Sequence, residues 1–435
     1  MEIVSIALVI LIFGLLASGL WIGLALIVVG VALAWLFSGI PVERLIPVYT
    51  YNVFTTAELI ALPLYIFMGE ILFRTRLSSA LFSGLAPWTG RLPGRLLHVN
   101  VLASTLFASI SGSSAATTQV VGKMSLMELL RRGYGPSVAM GSLAGAGTLG
   151  FLIPPSTVMI LYGVLANESI LRLFAAGLIP GLLLAASFMA WIMIHTTIRP
   201  ELVPESERAL SRAPMRERLS ALKDLLPIVF LILCVLGSMY GGLATPSEAA
   251  ALGVLGAFLI AGLQGMLNLR VLRDIVLGSV QTSCVLGLII LGATVLGNIN
   301  SFLGVPDYLT NLVDGMSLSP IALIAVLLLL YIALGTVLEG FSIIVTTLPV
   351  VLPLVTAAGF DPVWFGVFLV IVVEMAQITP PVAFNFLVIQ NMTGTTATTL
   401  ARATTPYFLI MVLFVMLLAT FPQVVLWLPN LLYGG

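Results

Sequence analysis

Eight consecutive small residues, Ser111-Gly112-Ser113-Ser114-Ala115-Ala116-Thr117-Thr118, interrupt one apolar region of the chain, and Ile153-Pro154-Pro155-Ser156 interrupts another 43 positions after Ser111. The same pair returns downstream. Leu338-Glu339-Gly340-Phe341-Ser342 breaks one apolar region, and Ile378-Thr379-Pro380-Pro381-Val382 lies 41 positions beyond Glu339. The chemistry open to such residues is ion binding by main chain and hydroxyls. A proline at position i removes the donor for the carbonyl at i−4. Pro154 and Pro155 are therefore expected to free the carbonyls of Gly150 and Phe151, and Pro380 and Pro381 those of Ala376 and Gln377. Freed carbonyls, with the hydroxyls of Thr148 and Thr379, are hard oxygen ligands of the kind Na⁺ accepts. Each second proline is suited to start the next half-helix. The second arm of each interrupted pair begins just past its tip, at Ser113 or Ser342, where unpaired N–H groups and a positive dipole end welcome an anion.

Plainer readings compete with this one. Ser/Gly/Ala-rich stretches in membrane helices are often close-packing faces, and a lone Pro-Pro is often only a kink. The paired recurrence, with opposite topology, favours binding. Glu339 and Glu374 lie in or beside apolar segments, and intramembrane acids are functional candidates; either also suits a structural role as partner to a backbone amide. Lys123 within the first pair has two readings, pairing with a substrate carboxylate or, preferred, reaching the interface with its stem buried.

The elements that must carry these breaks are membrane helices. The chain has 435 residues, 60% hydrophobic and only 8% charged, against roughly 25% charged in soluble proteins. About 20 apolar residues cross a hydrocarbon core, so the chain allows ten to twelve passages in a single all-α polytopic membrane domain, residues 1–435. The alternating strands of a membrane β-barrel are absent. Basic and acidic residues balance at 18 each, leaving no polybasic patch for nucleic acid. Cys234 and Cys284 sit alone in apolar segments and are expected to be buried packing residues. His98 and His195 lack metal-site neighbours, and no nucleophile–base pair appears, which argues against an enzyme. No GxxxxGK[ST] loop is present for an ATP-driven pump. Met1-Glu2-Ile3 opens without a basic n-region, so the first segment is expected to be a retained membrane helix.

Residues 1–90 are expected to be N-terminal scaffold helices, with 3–38 forming one long tilted helix or two short ones, 39–56 a loop and 57–73 a span. A polar loop follows with Arg74, Arg76, Arg91 and Arg95. Residues 91–197 form a first repeat core, with a hairpin over 96–130 and a broken helix over 136–165. The loop 198–223, with Arg199, Arg208, Arg212, Arg216, Arg218 and Lys223, is cytoplasmic by its basic residues. Residues 224–300 are scaffold, and 301–320 an outer loop with Asp307 and Asp314 but no Lys or Arg. Residues 321–393 form a second repeat core, with a hairpin over 321–357 and a broken helix over 363–393, and 394–435 a C-terminal helix. Counting passages puts every basic cluster from Arg91 onward on one side. The first hairpin then opens to the cytoplasm and the second to the outside, the inverted arrangement of a secondary transporter. Na⁺-coupled transport of a small organic anion is the function this predicts.

At these residues the sequence resembles the large membrane subunit of tripartite ATP-independent periplasmic (TRAP) transporters, over essentially the whole chain. The resemblance is carried by Pro63-Leu64-Tyr65-Ile66-Phe67-Met68-Gly69-Glu70, Ser111-Gly112-Ser113-Ser114-Ala115-Ala116-Thr117, Arg132-Gly133-Tyr134, Gly147-Thr148-Leu149-Gly150 leading into Ile153-Pro154-Pro155-Ser156, Ala244-Thr245-Pro246-Ser247-Glu248 and Thr379-Pro380-Pro381-Val382. It implies an elevator-type, ion-transporter-like fold of inverted repeats with two re-entrant helical hairpins and broken helices, in the cytoplasmic (inner) membrane of a bacterium or archaeon. It implies two partners, a small four-helix membrane subunit, which is not fused here, and a periplasmic substrate-binding protein. It implies one Na⁺ site at Ser111, Gly112 and Ser114 with Gly147, Gly150 and Pro154, and a second at Gly340 and Ser342 with Gln377, Thr379 and Pro380. The substrate is expected at Ser113, Ser114, Thr117, Ser156, Ser342, Val382 and Asn385. Relatives usually carry Asp where this chain has Glu339, one methylene longer. A stand-alone Na⁺/carboxylate carrier of the same architecture is the alternative. No residue selects among dicarboxylates, sialic acids and other acids.

Overall fold

The computed structural model describes residues 2–434 apart from 40, 76, 210–213, 316–317 and 381–382; Arg76, Arg212, Pro381 and Val382 thus lie outside the described residues. Among those residues the elements are helices and turns with no strand, as a single chain that must satisfy its own backbone in lipid requires.

The N-terminal stretch is two helices, α1 (Glu2–Ala17) and α2 (Ile22–Phe37), parted where Gly19 takes φ +80°. Residues 39–56, expected as a loop, form α3 (Val42–Thr55) instead. Polar residues scattered through a segment do not stop it from being helical, so mean polarity misleads there. A 3-10 turn (Ala57–Ile60) leads into α4 (Ala61–Phe73), bent 59° from α3. The expected polar loop after it contains α5 (Leu77–Thr89).

The first hairpin is α6 (Leu97–Ser111) followed by α7 (Ser114–Val121), a π turn (Gly122–Leu126) and α8 (Met127–Arg131). With 15 residues, α6 is about 22 Å long at 1.5 Å per residue, short of the ~30 Å a full crossing needs. The first broken helix is α9 (Pro136–Gly147) and α10 (Thr157–Ala166). Long helices follow: α11 (Ile170–Ile198), then, after the short α12 (Glu205–Ala209), α13 (Met215–Tyr240), α14 (Pro246–Leu263) and α15 (Leu269–Phe302). The loop expected over 198–223 thus already holds α12 and the start of α13. The outer loop holds α16 (Val305–Gly315).

The second hairpin is α17 (Pro320–Gly335) and α18 (Gly340–Ala357), and the second broken helix α19 (Pro362–Ala376) and α20 (Phe384–Thr393). Two helices, α21 (Ala397–Thr420) and α22 (Gln423–Tyr433), replace the single one expected at the C-terminus. Six helices, α11, α13, α14, α15, α18 and α21, are each long and apolar enough to cross a membrane. Their outer faces carry residues such as Leu233, Leu255 and Leu413, left exposed for lipid. Cys284 is on that exposed surface and Cys234 half-buried, so neither is the core residue expected; thiols are apolar enough to face lipid.

The two repeats interlock. The first arm of each hairpin packs on the first half of its own broken helix, α6 on α9 and α17 on α19. The second arm reaches the second half of the other repeat's broken helix, α7 on α20 and α18 on α10. The base of the first hairpin is tied to the 198–223 segment, with Arg132 bonded to Glu128 at 2.7 Å and to Glu207 at 3.0 Å, and Arg95 donating to the Arg208 carbonyl at 3.0 Å. Arg95, Arg132 and Arg208, three of the basic residues assigned to one membrane face, are thereby tied to one another's surroundings.

Backbone geometry makes one glycine indispensable. Gly112 ends α6 at φ +57°, and an added Cβ would stand 2.8 Å from the Pro155 carbonyl oxygen. Gly112→Ala is expected to cost about 1–3 kcal/mol, lowering the thermal unfolding midpoint in detergent. Gly237→Ala in α13, where nothing lies within 4 Å, should leave the midpoint unchanged or raise it.

Candidate functional site

The first tip is built by two caps. Gly112 in the left-handed conformation closes α6, and Ser113, extended, opens α7 by accepting the Ala116 N–H at 3.4 Å. Ser111 Oγ lies 3.0 Å from Thr117 Oγ1 across the turn. The tip docks on the first break rather than pointing into open space. The Gly112 carbonyl accepts the Thr157 hydroxyl at 2.8 Å and its N–H at 3.4 Å. A Cβ on Gly150 would stand 2.4 Å from Ser114 Cα, so Gly150 is the residue that permits the approach. Helix α10 starts two residues after Pro155, with Ser156 as its cap accepting the Met159 N–H at 3.2 Å. The second proline therefore does not open the half-helix as expected, because a hydroxyl cap outcompetes it.

The second tip uses a carboxylate as cap. Glu339 accepts the Phe341 N–H at 3.3 Å through Oε1 and the Ser342 hydroxyl at 3.2 Å through Oε2. Gly340 sits against α19, where an added Cβ would lie 2.5 Å from Val373 Cγ1 and 3.2 Å from Gln377 Nε2. The carbonyls at this break are not free. Gln377 O accepts Asn385 N–H at 3.1 Å and Phe386 N–H at 3.4 Å, and Ala376 O accepts Thr379 N–H at 3.3 Å. The chain turns back after the prolines and supplies donors from the next half-helix. At the first break the expectation holds: among the described residues no hydrogen bond reaches the carbonyls of Gly150 or Phe151.

Glu374, wholly buried in the last turns of α19, joins the halves. Its Oε1 accepts the Phe151 N–H at 2.6 Å and the hydroxyl of Ser114. The Phe151 ring meets Phe341 of the second tip, edge to face, with centroids 5.6 Å apart. Both tips and both breaks therefore converge. Of the two carboxylates there, neither forms an ion pair among the described residues. Glu374 Oε2 and Gln377 Oε1 are buried without a hydrogen-bond partner.

The residues expected as ligands sort unevenly. Ser111, Gly112, Ser114, Gly150 and buried Pro154 gather at the first tip and break, while Gly340, Ser342 and Gln377 gather at the second. Gly147 lies further back: a Cβ there would be 2.0 Å from Thr118 Oγ1 and 3.3 Å from Asn385 Nδ2. Thr148 and Thr379 turn their hydroxyl protons back onto the Gly145 and Met375 carbonyls, each at 2.7 Å, and Pro380 is half-buried beyond. Of the substrate set, Ser113 and Thr117 stand at the first tip, Ser156 is a buried cap, and Asn385 is buried with both amide atoms unpartnered. Lys123 is exposed over the Phe73 ring at 5.6 Å, consistent with the preferred reading.

The sequence points to Phe151 only through its carbonyl, not its N–H or its ring, and does not by itself single out the Asn100–Ser142 bond at 2.8 Å between α6 and α9. Asn100 was legible as an amide in an apolar segment. Phe151 contributes through its N–H, which no side-chain pattern reveals. A cavity of about 470 Å³, lined by Asn52, Asn167, Asn298, Ser301 and Pro349 among others, opens between α3, α10, α15 and α18.

The family model described as "Tripartite ATP-independent periplasmic transporter, DctM component" matches residues 9–424. The chain is 32% identical over 383 residues to the C4-dicarboxylate TRAP transporter large permease protein DctM of Pseudomonas aeruginosa, covering 87% of this chain and 88% of that one. It is 30% identical over 422 residues to the sialic acid TRAP transporter large permease protein SiaM of Vibrio cholerae, covering 97% of each. In fold it is similar to the Alcanivorax borkumensis YdaH transporter, with TM-score 0.62, 16% identity, and coverage of 92% of this chain and 96% of that one.

If the tips and breaks converge in the membrane as described, Phe151→Cys with Phe341→Cys, with Cys234 and Cys284 replaced, should be bridged by a short bifunctional thiol reagent. After proteolytic cleavage in the 198–223 segment the two fragments should then migrate as one. Phe151→Cys paired with a cysteine at exposed Leu329 should give separate fragments.

Proposed function

This chain belongs to the DctM component family of tripartite ATP-independent periplasmic transporters, a multi-pass protein of the bacterial inner membrane, and we propose that it imports a small organic anion coupled to Na⁺ by elevator-type alternating access. One observation carries the coupling. The place where the helix N-termini of α7 and α18 invite an anion holds two carboxylates, Glu339 and Glu374, and neither is ion-paired among the described residues. A helix N-terminus offers only about half a positive charge. An organic acid entering there therefore needs co-bound cations.

The donor set suits a hard monovalent cation: carbonyls of Gly150 and Phe151 without donors, the Ser114 hydroxyl, and the buried Gln377 Oε1 without a partner. Bound Na⁺ supplies the positive charge that the side chains lack. The first site is assigned to Ser111, Gly112, Ser114 and Gly150, with Gly147 and Pro154 shaping it, and the second to Gly340, Ser342, Gln377, Thr379 and Pro380. The cross-wise packing of hairpins and broken helices supports movement of this core as one body against the remaining helices. A four-helix membrane subunit and a periplasmic binding protein complete the system, in keeping with the tripartite family. The relatives' names, C4-dicarboxylate and sialic acid, support an organic acid as the cargo.

The test is uptake of organic acids into proteoliposomes holding the chain and its partner subunits. Replacing Na⁺ with choline should abolish concentrative uptake; undiminished uptake overturns the coupling. Ser114→Ala should raise the Na⁺ concentration for half-maximal uptake about 10-fold. Thr379→Ala should raise it too, since with its proton given to the Met375 carbonyl that hydroxyl has only lone pairs to offer a cation.

A further inference from the structure

We propose that Glu374 is a positioning residue for the first cation site, acting on it from the opposite repeat; this rests on the Na⁺-coupled reading above. Glu374 belongs to α19 of the second repeat, yet both groups bonded to it, the Ser114 hydroxyl and the Phe151 N–H, belong to the first. A serine hydroxyl has one proton and two acceptor lone pairs. With its proton committed to Glu374, Ser114 Oγ presents only lone pairs elsewhere, the orientation a cation ligand must have.

The bond to Phe151 acts in the same way on the main chain. In a trans peptide the N–H and the C=O of the same unit point in opposite directions. Fixing the Phe151 N–H on Glu374 therefore aims the Gly150 carbonyl away from the carboxylate, and that carbonyl has no donor among the described residues. One carboxyl oxygen thus sets the direction of two candidate ligands, on the tip and on the break. Groups that bond to a ligand and hold its orientation govern metal affinity strongly; their loss typically costs 10–100-fold. The unpartnered Oε2 marks Glu374 as more than a packing residue, because a core position without a task would not retain a buried acid with one orphaned oxygen. Because the acid comes from the other repeat, separating the repeats would release both ligands together.

The experiment separates geometry from charge. Glu374→Gln keeps an acceptor oxygen for both donors and removes the charge; Glu374→Ala removes both. The full chain in nanodiscs is titrated with NaCl against choline chloride, reading the thermal unfolding midpoint, and uptake in proteoliposomes gives the Na⁺ half-saturation. Expected are a Na⁺-induced rise in midpoint for wild type and for Glu374→Gln, with half-saturation within about threefold, and loss of that rise for Glu374→Ala, with half-saturation raised at least about 10-fold. Glu374→Asp, too short to reach both donors, stands in for the alanine variant should that one fail to fold, and should behave as it does. A Gln variant as damaged as Ala overturns the proposal, since charge would then be the requirement. So does an Ala or Asp variant with the wild-type response. A wild type that shows no Na⁺-induced rise and no Na⁺ dependence overturns the coupled reading instead.

Discussion

Broken helix inside hydrocarbon leaves N–H and C=O groups that cannot turn to water, and each must find a partner in the protein or bind something that is not protein. The arrangement of this chain follows from that constraint. It sets the breaks against one another, so that the Gly112 carbonyl takes donors from Thr157, the Gln377 carbonyl takes donors from Asn385 and Phe386, and the Phe151 N–H is given to Glu374. What these contacts leave over is small and asymmetric. Among the described residues the carbonyls of Gly150 and Phe151 and a few buried side-chain oxygens have no protein donor, and an excess of acceptors suits a cation.

Close approach is what makes this mutual satisfaction possible. Gly150 lies against the Ser114 backbone, Gly340 against Val373, and Gly147 against Thr118, each at distances an added Cβ would violate. Gly150 thus brings main chain to main chain, while Gly340 and Gly147 make room for the side chains of Val373 and Thr118. The same economy appears in the interlocking of the repeats. Each hairpin's second arm rests on the other repeat's broken helix, so neither tip keeps its surroundings if the repeats part. A core built this way is suited to move as a unit, since internal rearrangement would expose the breaks.

The prolines illustrate the limits of reading local rules from sequence. A proline does remove a donor, and at Pro154 and Pro155 the carbonyls four residues earlier stay without one. At the second break the same rule locates the interruption correctly but not its consequence, because the chain folds back and the start of α20 supplies the missing donors. Likewise Ser156, not Pro155, opens α10, and residues 42–55 form a helix despite the polar residues scattered through them. Local chemistry marks where regular structure stops; what then satisfies the loose ends depends on residues far along the chain.

Composition and the doubled pattern of interruptions determined an all-helical membrane protein of inverted repeats, the hairpins, the broken helices, and the residues at their tips. These are properties of hydrophobic run length, proline and glycine placement, and basic-residue distribution, all written along the chain itself. Tertiary structure alone decided which of the loosened groups remain unpaired, that the Phe151 N–H is given to Glu374, and that Glu374 is a bond between repeats. Those facts hinge on contacts across separations such as the 260 positions between Ser114 and Glu374, and the direction of a hydroxyl or a peptide plane is set only when its distant partner arrives.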